Sequence, residues 1–322
     1  LENVRPDCDT GRSVTSLDTA ASWPVSATQF TPTPAPCIDG GKLYDVAVNG
    51  NVWVAVGTKQ LSGGQTQGVS FRSTDNGASW VSAGSIPPTP AGAIALETVA
   101  TDGNIWVAGG YRGIWRSSDN GTTWSPASTG GEIWVGRNFQ VRDIAERPGP
   151  GTSWVAVGRV DKGSGYKWFA APNTSTTGTS WVGQNLSMYN YHTPCNTELT
   201  GVAFDPAGNA LAVGRTNVSA VKPSPYPDGF FAMAIATQYQ NDLYSNIRID
   251  DWCDVSVGGF IDVAADSSGT FIAVGESGAS GNPEPIAYRF HSPFASYPAT
   301  PMQNLSSGLP SGTDSLEGIA TD

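Results

Sequence analysis

Two carboxyl groups held at a defined separation are the minimum for glycoside hydrolysis, and six carboxylates lie in segments that could face a site: Glu132, Glu198, Asp250, Asp251, Glu276 and Glu284. Their spacing singles out no pair. Arg137, Arg159, Arg215, Arg248 and Arg289 could grip an anionic substrate, yet nothing in their spacing groups three of them. Nucleophilic chemistry is poorly provided for, because the two histidines, His192 and His291, are isolated and no nucleophile-elbow pattern occurs. Cys8, Cys37, Cys195 and Cys253 contain no C-x-x-C pair, so neither a zinc site nor any other metal or cofactor is expected. Recognition is better served. Trp134, Arg137, Tyr189, Tyr191, His192, Tyr226, Tyr239 and Trp252 make up a mix of aromatic and polar side chains suited to stacking on sugar rings or capturing a peptide.

The elements that must position these residues are short strands. Gly (39 residues) and Pro (23) are abundant and only 14% of residues are charged, which suits strands joined by tight turns and leaves little room for long helices. The formal net charge of -11 repels phosphate backbones and anionic lipid surfaces, so nucleic acid is not an expected partner. No run approaches the roughly 20 apolar residues that span a bilayer as a helix, and membrane insertion is not expected.

The chain repeats. LYDVAV (43–48), LETVAT (96–101), VRDIAE (141–146), LTGVAF (199–204), FIDVAA (260–265) and LEGIAT (316–321) recur at steps of 45 to 61 residues. Five of them are followed by a short Gly/Asn/Asp turn and a second apolar run, such as NVWVAVG (51–57) or TFIAVG (270–275), which reads as a hairpin. Consecutive apolar residues, with no alternation, indicate strands covered on both faces. A third strand follows in each unit. After it comes S-x-D-x-G-x-[ST]-W, built once from Ser73, Asp75, Gly77, Ser79 and Trp80 and again from Ser117, Asp119, Gly121, Thr123 and Trp124. Worn copies run from Thr174 to Trp181 and from Ser16 to Trp23, the latter keeping Asp18. In such a turn the carboxylate and hydroxyl can satisfy backbone N–H groups and Gly accepts positive φ, while Trp starts a fourth strand.

This motif resembles the Asp box, or BNR repeat, of sialidases, sortilin-type receptors, xyloglucan hydrolases and photosystem assembly propellers. The wider unit is most similar to the last group. The resemblance implies an all-β fold, a six-bladed β-propeller of four-stranded antiparallel blades in a single domain spanning residues 1–322. It also implies that the boxes are structural turns on the face away from the ligand. Sialidases carry an Arg-Ile-Pro near the first blade, three arginines on a substrate carboxylate and a nucleophilic Tyr with a supporting acid. No Arg-Ile-Pro exists here.

Six first strands with the sixth ending at Asp322 require the last blade to be completed by residues 1–30, with RSVTS (12–16) as third strand and SWPVSATQF (22–30) as fourth. Its second strand has no clear counterpart: either Leu1 to Arg5, the only local candidate, serves, or a partner strand adds there. Long connections (57–68, 83–95, 158–166, 183–198, 214–229, 238–258, 275–285 and 290–314) gather on the face opposite the boxes, where the eight aromatic and polar residues above are expected to bind ligand. Asp45, Asp143 and Asp262 share one repeat position on alternate blades, as a ring of carboxylates for a cation or as part of the scaffold. Cys195 with Cys253 and Cys8 with Cys37 is one of three possible pairings.

Low Lys, four Cys and a start at Leu1 without a leader point to a secreted or cell-surface protein. The expected function is a non-catalytic binding, adhesion or assembly propeller for a glycan or protein ligand. A sialidase-type hydrolase and a filament subunit are the alternatives.

Overall fold

The computed structural model describes residues 14–16, 28–30, 41–61, 66–83, 86–88, 95–130, 138–149, 154–161, 166–172, 177–182, 196–217, 230–236, 245–246, 258–277, 284–291, 303–305 and 318–319. The chain separates into two compact units: Leu1–Thr129 with Thr177–Ser180, and Gly130–Thr176 with Trp181–Asp322. All regular structure among the described residues is β, and no helix there is long and apolar enough to cross a membrane.

The first unit holds two four-stranded antiparallel meanders. Sheet 1 runs Gly41–Asn49, Val52–Gln60, Thr66–Ser73, Val81–Ser82, and sheet 2 runs Leu96–Thr101, Trp106–Gly110, Gly113–Ser117, Ser125–Pro126. Their facing sides share one core, in which Val54 and Val56 of sheet 1 meet Val99, Trp106 and Trp115 of sheet 2. Each such side chain withdrawn from water contributes about 1.5–3 kcal/mol before entropy is subtracted. Near the amino terminus Val14–Ser16 pairs antiparallel with Thr28–Phe30, Val14 opposite Phe30, which is the hairpin expected of residues 12–30.

The second unit repeats the plan. Sheet 3 contains Phe139–Glu146, Trp154–Asp161 and Tyr166–Pro172; sheet 4 contains Asn196–Phe204, Ala210–Asn217, Phe230–Ala236 and Ser245–Asn246; sheet 5 contains Gly258–Ala265, Thr270–Ser277, Glu284–His291 and Gln303–Asn304, and the Arg215–Gly259 pair links sheets 4 and 5 into one eight-stranded array. Val155 and Val157 of sheet 3 pack on Leu199 and Val202 of sheet 4, whose Leu211 and Val213 pack on Phe260 and Phe271 of sheet 5. A sheet with neighbours on both faces must be apolar on both. Sheet 4, with sheet 3 on one face and sheet 5 on the other, accordingly has Ala210 to Gly214 buried on consecutive residues.

Sheet 3 departs from the expected four strands. Ser180–Val182 pairs with Ser128–Gly130 and not with Tyr166–Pro172, and the Ser128 N–H donates to the Thr179 carbonyl at 2.8 Å.

Every described first strand carries a β-bulge at one repeat position, between Leu43 and Asp45, Leu96 and Thr98, Val141 and Asp143, Leu199 and Gly201, and Phe260 and Asp262. The bulge swings the preceding carbonyl across the partner strand. A Cβ on Gly57 would overlap the Lys42 carbonyl oxygen, and one on Gly214 would overlap that of Glu198. The last Gly of the W-V-A-V-G run is therefore a close-approach residue demanded by the bulge opposite it.

Candidate functional site

The two complete boxes are closed hydrogen-bond circuits. Ser73 Oγ donates to Asp75 Oδ1 at 2.7 Å and accepts the Gly77 N–H at 2.9 Å, while Ser79 donates through N–H to Oδ1 at 2.8 Å and through Oγ to Oδ2 at 2.6 Å. Asp119 repeats this with Ser117, Gly121 and Thr123. Gly77 and Gly121 hold φ of 81° and 74°. Donations from the Ser79 and Ser73 hydroxyls and the Ser79 N–H lower the Asp75 carboxyl to about 2. At Asp119 burial pushes upward, but the bonds from Thr123 and Ser117 outweigh it and the carboxyl stays below its usual value. Trp124 and Trp181 are buried and Trp80 is half-buried. Asn76 N–H donates to the Asn51 carbonyl, so the first box lies at the hairpin-turn end of its sheet. Carboxylates so engaged are turn-formers. Asp18 and Trp23 lie outside the described residues.

The shared aspartates are clamps between sheets. Asp45 Oδ1 accepts the Val46 N–H at 2.7 Å and Oδ2 accepts the Val99 N–H of sheet 2 at 2.8 Å. Asp143 does the same with Ile144 and Val202, and Asp262 with Val263 and Ile319. Burial pushes the Asp262 carboxyl above its usual value, against the donations from Ile319 and Val263. Where sheet 4 has Gly201 in place of Asp, Thr200 Oγ1 donates to the Phe260 carbonyl at 2.8 Å, and a Cβ on Gly201 would crowd Asp262. Of the two roles open to these aspartates in the sequence, the scaffold role is the one their bonding supports.

A different cluster stands at the opposite end of the strands. Glu198, 7% exposed, pairs across the sheet 4 hairpin with Arg215, far from the Asp205–Gly208 turn. Arg215 Nε meets Glu198 Oε1 at 2.6 Å; Arg142 reaches Oε2 through Nη2 at 3.2 Å and Nε at 3.3 Å, and Arg159 Nη1 lies 3.4 Å from the same oxygen. Burial drives the carboxyl up, yet the guanidiniums of Arg142, Arg215 and Arg159 more than offset it and hold Glu198 below its usual value. A carboxylate kept ionised, with both oxygens occupied, is a weak general acid and a weak nucleophile. What the arrangement does well is fix three guanidiniums.

Sequence reasoning named Glu198, Arg159 and Arg215 separately, and the fold brings them together. It missed Arg142, the bulged residue between Val141 and Asp143, because strict strand alternation gives no sign of an inserted residue that re-aims its side chain. Arg289 lies on the third strand of sheet 5 and Glu276 on its second. Trp134, Arg137, Tyr189, Tyr191, His192, Tyr226, Tyr239 and Trp252 lie outside the described residues, as do Cys8, Cys37, Cys195 and Cys253.

A scan against protein-family models finds no match, and a sequence search of curated proteins finds none. Solved structures are similar at low identity. A protein of unknown function from Dyadobacter fermentans is 17% identical over 76% of this chain and 74% of its own, with a TM-score of 0.44. An alpha-L-arabinanase from Penicillium chrysogenum, solved with arabinobiose, is 11% identical over 79% and 78%, with a TM-score of 0.46. A GH74 xyloglucanase from Xanthomonas campestris is 16% identical over 76% of this chain but 36% of its own, with a TM-score of 0.42.

Proposed function

We propose that this chain is an exported six-bladed Asp-box propeller, closed by its two ends, that binds a glycan at the long-loop end of its sheets without turning it over. One observation carries the reading. The strand ends of sheets 3 and 4 remote from their own hairpin turns hold a group of three arginines around Glu198, whose carboxylate is committed to them and so is withheld from acid–base work. The boxes and the aspartate clamps supply the stiffness such a surface needs. The first-strand bonds from sheet 1 to sheet 2, from sheet 3 to sheet 4 and from sheet 4 to sheet 5 support the blade plan, and the bond from Ile319 to Asp262 supports a sixth unit. A glycan array run beside a fluorogenic glycoside panel tests the reading. Saturable binding without turnover is expected; turnover would replace it with a hydrolase, and concentration-dependent polymers with bound partner strands would favour the filament subunit.

A further inference from the structure

We infer that Arg142, Arg159 and Arg215 are the anion-reading part of the loop-end surface, and that its ligand is a polysaccharide chain carrying carboxylate or sulfate groups. This rests on the glycan-binding reading above. Three guanidiniums gathered within one cluster run against the sign of a chain with 17 basic and 28 acidic residues. The side chains of Arg142, Arg159 and Arg215 are 24%, 27% and 43% exposed while Glu198 between them is 7% exposed, so the arginines are the solvent-accessible part of the cluster. A guanidinium has five N–H donors. Glu198 takes Nε of Arg215, leaving both its terminal nitrogens unused by that carboxylate.

Glu198 already occupies the point on which the three arginines converge. A single ligand carboxylate therefore has no room at the centre, and the outward edges, carried on strands of two sheets, address separate charges. That geometry suits a repeating polyanion. One charge per sugar ring also suffers less repulsion from the acidic remainder of the protein than the dense phosphates of duplex nucleic acid. The cluster is preorganised: Arg142 sits one residue from the Asp143 clamp, and the Arg215 backbone is paired with Gly259, where a Cβ would collide with that of Arg215.

The full chain is titrated with polygalacturonate and dextran sulfate, with dextran as the neutral control and poly-glutamate as a protein polyanion, at low and moderate salt. Binding of either acidic polysaccharide is expected, weakened about tenfold or more by the added salt, and whichever binds more tightly distinguishes carboxylate from sulfate. The double variant Arg159→Gln/Arg215→Gln is expected to weaken it about tenfold with an unchanged melting profile. If that variant does not fold, the single Arg215→Gln takes its place, with about threefold weakening expected. Unaltered binding in the folded variant, or equal affinity for poly-glutamate, overturns the inference. Neutral glycans bound on the array, with no acidic polysaccharide bound, would overturn it while leaving the glycan-binding reading intact; no glycan bound at all brings down both.

Discussion

Asp143 holds Val202: its Oδ2 accepts the Val202 N–H at 2.7 Å across the gap between sheets 3 and 4, while Oδ1 accepts the N–H of the next residue in its own strand. Val202 is 4% exposed, so its N–H has no water to fall back on. Replacing Asp143 by Ala leaves that donor unsatisfied and is expected to cost about 1–3 kcal/mol. Asp143→Asn, which can still accept one bond, should cost less. Urea unfolding of the two variants checks the order; equal stability of Ala and wild type would refute the clamp.

Glu198 sets an acid limit. Its folded carboxyl lies below the usual value, so the stability it contributes is present above the unfolded value and drains away as pH falls through the folded one. Glu198→Ala leaves three guanidiniums without their common anion, for which about 3–5 kcal/mol at neutral pH is expected if the pair behaves as buried; partial exposure of the arginines reduces this. Denaturant melts from pH 7 down to 3 should show a steeper acid loss in wild type than in the variant. Parallel curves would remove Glu198 from the account.

Two glycines separate backbone strain from crowding. Gly121 has φ of 74° and a Cβ there would press on Val54 of sheet 1, whereas Gly50 has φ of 57° with open space around it. Gly50→Ala should cost about 1 kcal/mol for the left-handed backbone alone, and Gly121→Ala more, because packing is added. Thermal melts of both variants compare them, and a Gly121→Ala protein as stable as Gly50→Ala would contradict the packing described.

Asp75 should titrate far below an ordinary carboxylate, near its value of about 2, in a carbon-detected NMR titration. The Ser79→Ala variant removes the hydroxyl donor to Oδ2 and is expected to move the midpoint upward. An Asp75 that titrates near 3.8 in the wild type would show the circuit to be open in solution.

Much of the fold was legible because it is local and repeated. A hairpin with apolar runs on consecutive residues can only be a doubly covered sheet, and S-x-D-x-G-x-[ST]-W carries its own hydrogen-bond partners within a few residues, so Asp75 and Asp119 could be assigned as turn-formers before any sheet was placed. The fourth strand of sheet 3 escaped prediction because Ser180–Val182 pairs with Ser128–Gly130, a partner about fifty residues away that no local motif marks.

Letters alone were enough to establish the order of the first three strands of each described sheet, the bonding of the S-x-D-x-G-x-[ST]-W turns and the acidic character of the chain, since each of these depends on residues close in sequence or on simple composition. Whether Asp45, Asp143 and Asp262 bind a cation or brace the scaffold, and which arginines meet Glu198, required the packed sheets. Several of these contacts join residues more than fifty positions apart, as Asp143 to Val202 and Arg142 to Glu198 do. They also depend on a one-residue bulge that changes where a side chain points without leaving any mark in the pattern of polar and apolar residues.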